Sequence, residues 1–468
     1  SNADGGYLLA GSTQSNDGDV TAFSGVSDIW IVKTDVNGNL LWQKTYGGSD
    51  EDVALDAIAV ADGYILFGYS SSLDGDMTEM YGIADYWILK IDLDGNLIWQ
   101  NNLGGSLIDH GHEIQQTADG GFLLCGQNKS TNYDATGSGN NGKNDFWIVK
   151  TDSLGNLVWQ KAYGGSEADI GNSLTVTGDG GFVACGYANS SNGDIGENFG
   201  LGDGWVFRCD SNGVIVWSHV YGGSGDDFAR VIIPANTGGF MLVGGSTSND
   251  GDITGSNGST DLWLMKLDTA GALLYSKVIG GSGFEVAYDI IPYPGGGYLI
   301  AGGSNSLNGD IPFTYGATDF LVLKVNEEGD VEWVQNFGGE ASEECRSIIA
   351  GTDGGFIAAG FSESATGDIS TPKGGFDFWL LHLSAPEICN AFDDNANGIT
   401  DEDCVPLTIA IVGDDSICKG TITELCAETD VFTAYQWYRN GNVIAGATAV
   451  CYSTNKQGTY KVRGIVGS

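Results

Sequence analysis

The stretch GGSEADIGNSLTVTGDGGFVACGYANSSNGDIGENFGLGDGWVFRCDSNGVIVWSHVY (Gly164–Tyr221) decides the fold. It holds four short apolar runs. The first ends near Leu174. The second, Gly181–Gly186, follows an Asp-Gly-Gly turn, and the third is Trp205–Cys209. The fourth, Val214–Trp217, follows Asn212-Gly213, a pair that predicts a type I′ hairpin. Clusters of Gly, Asn, Asp and Ser separate the runs, as expected for strands joined by turns. No run carries a 3.6-residue apolar period long enough for a helix.

The same pattern recurs along the chain. An aspartate two residues before a large apolar side chain marks the period: Asp28, Asp85, Asp145, Asp203, Asp261, Asp319 and Asp377. Eleven of the 12 tryptophans fall at two repeat positions. Trp30, Trp87, Trp147, Trp205, Trp263 and Trp379 form one set; Trp42, Trp99, Trp159, Trp217 and Trp333 form the other. A unit of about 58 residues stacked on copies of itself, with four antiparallel strands per copy, predicts an all-β, seven-bladed β-propeller over 4–384. The rival reading is a β-solenoid, whose coils are usually shorter and carry fewer hairpin turns. The tryptophans are expected to pack between blades, where large aromatics dominate burial. The strands count to 26 rather than 28, so the ring is expected to have one blade short or split, with a segment upstream of residue 4 supplying the missing two. The residues Ser1–Ala3 read as a tag remnant.

The net charge of −42, from 61 acids against 19 Lys and Arg, disfavours nucleic acid and anionic membranes as partners. No apolar run approaches the length of a membrane span. Acids recur at two further positions. Asp19, Asp76, Asp194, Asp252, Asp310 and Asp368 each follow a glycine, with Thr136 breaking the third copy. Asp52, Asp109, Asp169, Asp227, Glu285 and Glu343 stand four residues after a Gly-Gly pair. They read as cation sites, or as turn residues accepting backbone N–H groups. On the second reading the repeat cations Lys33, Lys90, Lys150, Arg208, Lys266, Lys324 and His382 pair with them.

The run GGSGDDFARVIIPANTGGFMLVGGSTSNDGDITGSNGSTDLWLMKLDTAGALLYSKVIGG (Gly222–Gly281) resembles the bacterial β-propeller repeat called SBBP. The resemblance covers about 4–384, and it departs in using Trp where that pattern often has Phe or Tyr. It implies a secreted or cell-surface bacterial protein of a kind mostly without known enzymatic activity. Asp92–Trp99 also looks like the tryptophan-docking repeat of quinoprotein propellers, with no matching quinone or metal site.

Five of nine cysteines lie in the last 80 residues, which suggests disulfides and an oxidising compartment. Cys125 and Cys185 read instead as buried thiols on an apolar strand. Within the linker 385–405, Asp393, Asn395, Asn397, Ile399 (through its carbonyl) and Asp401 match a Ca²⁺ loop. Cys404 stands at position 12, so Glu402 or Asp403 must supply that ligand. The segment resembles a bacterial surface-protein motif associated with metal binding, in which Cys389 and Cys404 would staple the ends. The other reading is an acidic linker with Asx turns. Residues 406–468 resemble an Ig-like β-sandwich, truncated, with Cys426–Cys451 as the implied bridge between neighbouring strands.

Chemistry is sparse. His110 and His112, two apart on a strand, would face one side and suit a transition metal, though no third ligand accompanies them. No nucleophile–base arrangement stands out. One position of the strand after Gly-Gly varies in every copy: Leu55, His112, Asn172, Arg230, Tyr288 and Arg346. By resemblance to other propellers this strand is innermost, so His112, Arg230, Tyr288 and Arg346 are the candidate ligand-binding residues. Relaxed lining of a watery channel is the competing account. The expected function is a monomeric, non-catalytic scaffold that binds an extracellular protein or glycan. The alternative is a carbohydrate-active enzyme using paired carboxylates in the channel.

Overall fold

The computed structural model describes residues 6–383, except 141–142, 257, 312–313, 352–353 and 370–374, together with scattered segments between 409 and 465. The chain divides into two compact units, 1–352 with 356–383 and 353–355 with 384–468.

The first unit contains 26 strands in seven antiparallel sheets. Blade 1 has three: β1 (Tyr7–Thr13), β2 (Asp28–Thr34) and β3 (Leu40–Tyr46). Blade 2 has four: β4 (Asp52–Val60), β5 (Gly63–Ser70), β6 (Asp85–Ile91) and β7 (Leu97–Leu103). Blade 3 repeats this with β8 (Asp109–Gln116), β9 (Phe122–Asn128), β10 (Asp145–Thr151) and β11 (Leu157–Tyr163). Blade 4 is β12 (Asp169–Val176), β13 (Phe182–Ala188), β14 (Asp203–Cys209) and β15 (Ile215–Tyr221). Blade 5 is β16 (Asp227–Pro234), β17 (Phe240–Ser246), β18 (Asp261–Leu267) and β19 (Leu273–Ile279). Blade 6 is β20 (Glu285–Pro292), β21 (Tyr298–Ser304), β22 (Asp319–Val325) and β23 (Val331–Phe337). Blade 7 again has three, β24 (Glu343–Ala350), β25 (Phe356–Ser362) and β26 (Asp377–Leu383). Strands β4, β8, β12, β16, β20 and β24 touch one another in succession and form the inner wall. Among the described residues, blade 1 lacks this inner strand and blade 7 lacks the outer one. The count of 26 is the one read from the repeat.

Trp87, Trp147, Trp205 and Trp263 are fully buried. The aromatic residues after Asp85, Asp145 and Asp319 pack on the next blade's tryptophan: Tyr86 on Trp147 at 4.7 Å, Phe146 on Trp205 at 6.1 Å and Phe320 on Trp379 at 5.1 Å. Phe378 stacks on Trp30 at 4.6 Å, so blade 7 meets blade 1 and the ring closes. In blades 1 to 5 the indole N–H donates to a Gln or Ser on the outer strand, as Trp87 Nε1 does to Gln100 at 2.8 Å. The outer tryptophans lie over the next blade's hairpin. A Cβ on Gly95 would sit 2.9 Å from the Trp42 ring, and its φ of 75° is left-handed.

That hairpin differs from the one expected at Asn212-Gly213. Gly213 has a φ of 70°, but Asn212 is not among the positive-φ residues, so the turn is not type I′. Asp210 Oδ1 instead accepts N–H bonds from Asn212 (2.8 Å) and Val214 (2.9 Å), while Gly213 N donates to Asp210 O (3.0 Å). The carboxylate imposes a type I turn closed by a glycine bulge, and the register shift at Arg208/Cys209 follows from it.

The acids after Gly-Gly are buried turn residues, as one of the two readings held. Asp52 Oδ2 accepts Gly48 N at 2.8 Å and Ser72 Oγ at 2.7 Å, and Oδ1 accepts Ser70 Oγ. The repeat cations pair elsewhere, largely with acids of the hairpin between the first two strands. Lys90 meets Asp62 at 2.8 Å, Lys150 meets Asp119 at 3.1 Å and Arg208 meets Asp179 at 2.5 Å. These hairpins lie within reach of the strand end that carries each cation. In the copy where Thr136 breaks the pattern, Asp134 takes over, accepting Gly104 N at 3.5 Å from a short 3₁₀ turn.

The marker aspartates are buried differently. One oxygen of Asp85 accepts Tyr81 N at 2.8 Å. The Oδ1 atoms of Asp28, Asp85, Asp203 and Asp319 are buried with no hydrogen-bond partner among the described residues. Burial, then a neighbouring blade's acid, raises their carboxyl pKa values: Asp85 to about 7, Asp203 and Asp319 to about 6.

In the second unit, β27 (Ile409–Val412), β28 (Thr423–Ala427) and β31 (Cys451–Thr454) form one sheet. A second sheet comprises β29 (Ala434–Arg439), β30 (Asn442–Val443) and β32 (Tyr460–Ile465). Cys426 and Cys451 are directly opposed on neighbouring strands. The expected calcium loop, Asp393 to Glu402, and Cys389 and Cys404 lie outside the described residues.

Candidate functional site

Every inner strand of blades 2 to 7 carries a β-bulge at the same place, between Ala54 and Asp56, Gly111 and Glu113, Gly171 and Ser173, Ala229 and Val231, Ala287 and Asp289, and Cys345 and Ser347. The residue skipped by the ladder is Leu55, His112, Asn172, Arg230, Tyr288 or Arg346. The position that varies in sequence is thus the one the sheet leaves unpaired. A bulge frees its extra residue from the alternation of the strand and re-aims it, here at the inner wall.

The structure brings Arg230, Tyr288 and Arg346 together. The Arg230 guanidinium lies 4.8 Å from the centre of the Tyr288 ring, and that of Arg346 lies 4.0 Å from it. Both distances are within cation–π range. Arg346 pairs with Glu344 at 2.5 Å and is half exposed. Arg230 is more enclosed, and its Nε is buried without a hydrogen-bond partner among the described residues. Burial and the Arg346 charge pull the Arg230 pKa down, though Tyr288 and Glu344 oppose this. Two guanidinium groups face one carboxylate here, on a chain of net charge −42.

His112 lies in the same wall. Its Nδ1 is 2.6 Å from Gly171 O, so Nδ1 carries the proton and Nε2 is left as an acceptor. Burial lowers its pKa to about 4, with His110 and Arg230 contributing. His110 stacks instead on Tyr69, ring centres 3.9 Å apart. Among the described residues no group of three or more His, Cys, Asp or Glu is placed to hold a metal.

Sequence reasoning missed the neighbouring position. Asp56 Oδ2 accepts Ile114 N of the next blade at 2.9 Å, Glu113 Oε2 accepts Leu174 N at 3.3 Å, Ser173 Oγ accepts Ile232 N at 3.2 Å and Asp289 Oδ2 accepts Ile348 N at 2.8 Å. Blade 5 has Val231 there, and Ile290 N is bonded by Asp289 itself at 2.8 Å. Burial raises the pKa of Asp56 and Glu113; the Asp289 charge adds to the first shift and the Asp56 charge to the second. The signal was present as acceptor side chains recurring eight residues after Gly-Gly, but their varied identities hid it.

No known family model matches this chain. A stretch of 199 residues is 28% identical to the regulatory protein FlaEY of Caulobacter vibrioides; it covers 39% of this chain and 20% of that protein. The chain therefore spans about a fifth of that relative. Solved structures resembling it include the Neurospora crassa Pan2 WD40 domain, with TM-score 0.40 and 9% identity over 71% of this chain and 81% of that one. A Synechocystis apocarotenoid oxygenase mutant gives TM-score 0.41 and 12% identity over 76% and 84%. The seven-bladed architecture rests on the sheets and closed ring described above. No helix among the described residues is long and apolar enough to cross a membrane.

Proposed function

We propose that this chain is a non-catalytic binding protein whose inner wall takes an anionic group of an extracellular protein or glycan. The single observation behind this reading is the Arg230–Tyr288–Arg346 stack on residues released by bulges. Positive groups collected where the fold needs none, with a buried donor unpaired, suit a carboxylate, sulfate or phosphate. A secreted or cell-surface setting, the SBBP likeness, a Ca²⁺-stiffened linker at Asp393–Glu402 and a downstream Ig-like module complete the proposal. Replacing Arg230, Tyr288 and Arg346 together by alanine is expected to abolish binding in a screen of anionic glycans and proteins and to leave the melting temperature nearly unchanged. A ligand bound equally by both proteins would defeat the proposal. For the linker, calorimetry should show Ca²⁺ uptake that Asp393→Ala removes.

A second reading draws on the inner wall's acids. Burial raises the carboxyl pKa of Glu113 and of Asp56, as a general acid requires. Glycan hydrolysis by the intact chain, lost in Glu113→Gln, would favour an enzyme.

A further inference from the structure

The side chains released by the bulges divide into two kinds. In blades 3 and 4 they serve the ring. His112 Nδ1 lies 2.6 Å from Gly171 O, and Asn172 Nδ2 donates to Ala229 O at 2.8 Å, so each bonds the carbonyl just before the next blade's bulge. In blades 5 to 7 they stack instead. The guanidinium groups of Arg230 and Arg346 lie 4.8 and 4.0 Å from the centre of the Tyr288 ring. Arg230 belongs to the blade before Tyr288 and Arg346 to the blade after, so they reach the ring from opposite sides. Two further rings extend the row. Phe228 lies 5.8 Å from the Arg230 guanidinium, and Phe361 lies 5.5 Å from that of Arg346. Aromatic and guanidinium groups thus alternate across three blades.

This packing decides what a ligand can touch. Both faces of Tyr288 are covered, so the ring is closed to stacking with a ligand. It acts as a spacer that holds the two guanidinium groups apart and leaves their N–H edges as the surface on offer. The two cations are not equivalent. Arg346 is ion-paired with Glu344 at 2.5 Å, which sets N–H donors and a carboxylate acceptor side by side in a neutral pair. Arg230 has no ion-pair partner among the described residues, and its Nε is buried without a hydrogen bond there. One uncompensated positive charge therefore stands on one side of Tyr288, and a neutral donor–acceptor pair stands on the other. A hydroxyl both donates and accepts, so sugar hydroxyls match the Arg346–Glu344 pair. A second anion at that place would meet the Glu344 carboxylate, and a dense polyanion would be repelled by the chain's net charge of −42.

We propose that this row is a subsite for one acidic sugar unit. Its single anionic group, a carboxylate or a sulfate ester, meets Arg230. Hydroxyls on the far side of the sugar ring meet the Arg346–Glu344 pair. Tyr288 is a positioning residue that sets the gap between the two. The assignment rests on the anion-binding reading of this wall and narrows it to a glycan with one charge per recognised unit.

The test titrates the full chain with methyl glucuronoside, a sulfated glucoside, methyl glucoside, glucarate and hexanoate, followed by calorimetry or NMR. One of the two acidic sugars should bind at least about tenfold more tightly than the neutral glucoside, which lacks a charge for Arg230. It should exceed hexanoate, which lacks the hydroxyls, by a similar factor. The tighter of the two identifies the anion. Glucarate carries a carboxylate at each end and should also bind weakly, and Glu344→Gln should close that gap. Arg230→Ala should reduce the acidic sugar to the level of the glucoside. Tyr288→Phe should keep the preference for the acidic sugar and Tyr288→Ala should lose it, with melting temperatures confirming that both variants fold. Hexanoate or glucarate binding as tightly as the acidic sugars overturns the sugar assignment while leaving an anion site. Acidic-sugar binding that Arg230→Ala does not weaken overturns the subsite and the anion-binding reading together. Absence of binding by every probe overturns the subsite, and the anion-binding reading then stands or falls on the wider screen.

Discussion

Replacing Asp85 by Asn should stabilise the propeller above pH 7 and do little below pH 4. Asp85 is fully buried, one oxygen bonded to Tyr81 N and the other without a partner. Burial raises its pKa from 3.8 to about 7, and the acids of the adjoining blade, Asp109 and Asp134, push the same way against the Tyr81 and Gly82 N–H bonds. The folded chain therefore binds a proton that the unfolded chain releases between these values. Stability from this group is complete below pH 3.8 and is lost as pH rises through 7. A carboxyl held at about 7 rather than 3.8 corresponds to about 4 kcal/mol at high pH. That is an upper limit, because Asp28, Asp203 and Asp319 repeat the situation and the ring relaxes around each. Asn keeps an oxygen for Tyr81 N and turns N–H donors toward the acids, so a gain of about 1–3 kcal/mol at pH 8 is expected, falling to about a third of that at pH 5 and vanishing below pH 4. Denaturant midpoints of the two proteins across pH 4–8 measure it. An Asn variant destabilised equally at both pH values would show that the orphan oxygen is paired in solution and that the electrostatic reasoning is wrong.

Gly95→Ala should cost about 1–3 kcal/mol, read from denaturant melts, since it combines a left-handed φ with a Cβ at 2.9 Å from the Trp42 ring; Trp42→Ala in the same background should recover part of the loss. Cys125, Cys185, Cys209 and Cys345 are buried thiols, and burial raises the pKa of each. Thiol reagents should leave all four unlabelled in the native ring and label them on unfolding.

The architecture was legible because its causes are local and repeated. Asp-x-Trp, Gly-Gly-Ser and the acid four residues on are dictated by contacts that every blade makes with its neighbour, so they print a period. The hairpin at Asn212-Gly213 was misread because the controlling residue is Asp210, whose carboxylate bonds the amides on either side of the glycine, Asn212 N and Val214 N. The cation pairings were misassigned because Lys90 and Asp62 meet across strands, a separation no spacing rule marks. The inner-wall position was visible as variation at Leu55, His112, Asn172, Arg230, Tyr288 and Arg346. Its neighbours Asp56, Glu113, Ser173 and Asp289 were not, since a bond to another blade's backbone tolerates any acceptor. That Arg230 and Arg346 share Tyr288 is a matter of ring geometry and needed coordinates.

The bulge on each inner strand separates two kinds of selection. Ladder residues before it are small in every copy (Ala54, Gly111, Gly171, Ala229, Ala287, Cys345), and most of those after it reach the next blade's backbone. The extra residue is free of the ladder, and apart from His112 and Asn172, which bond the next blade's backbone, it can be rewritten blade by blade without re-engineering the ring. Six such addresses converge on one wall, each supplied by a different copy of the repeat. A lineage carrying this repeat can therefore acquire a new ligand by point mutation alone, and a randomised library at these six residues would sample specificity on a frame that has already passed every folding test.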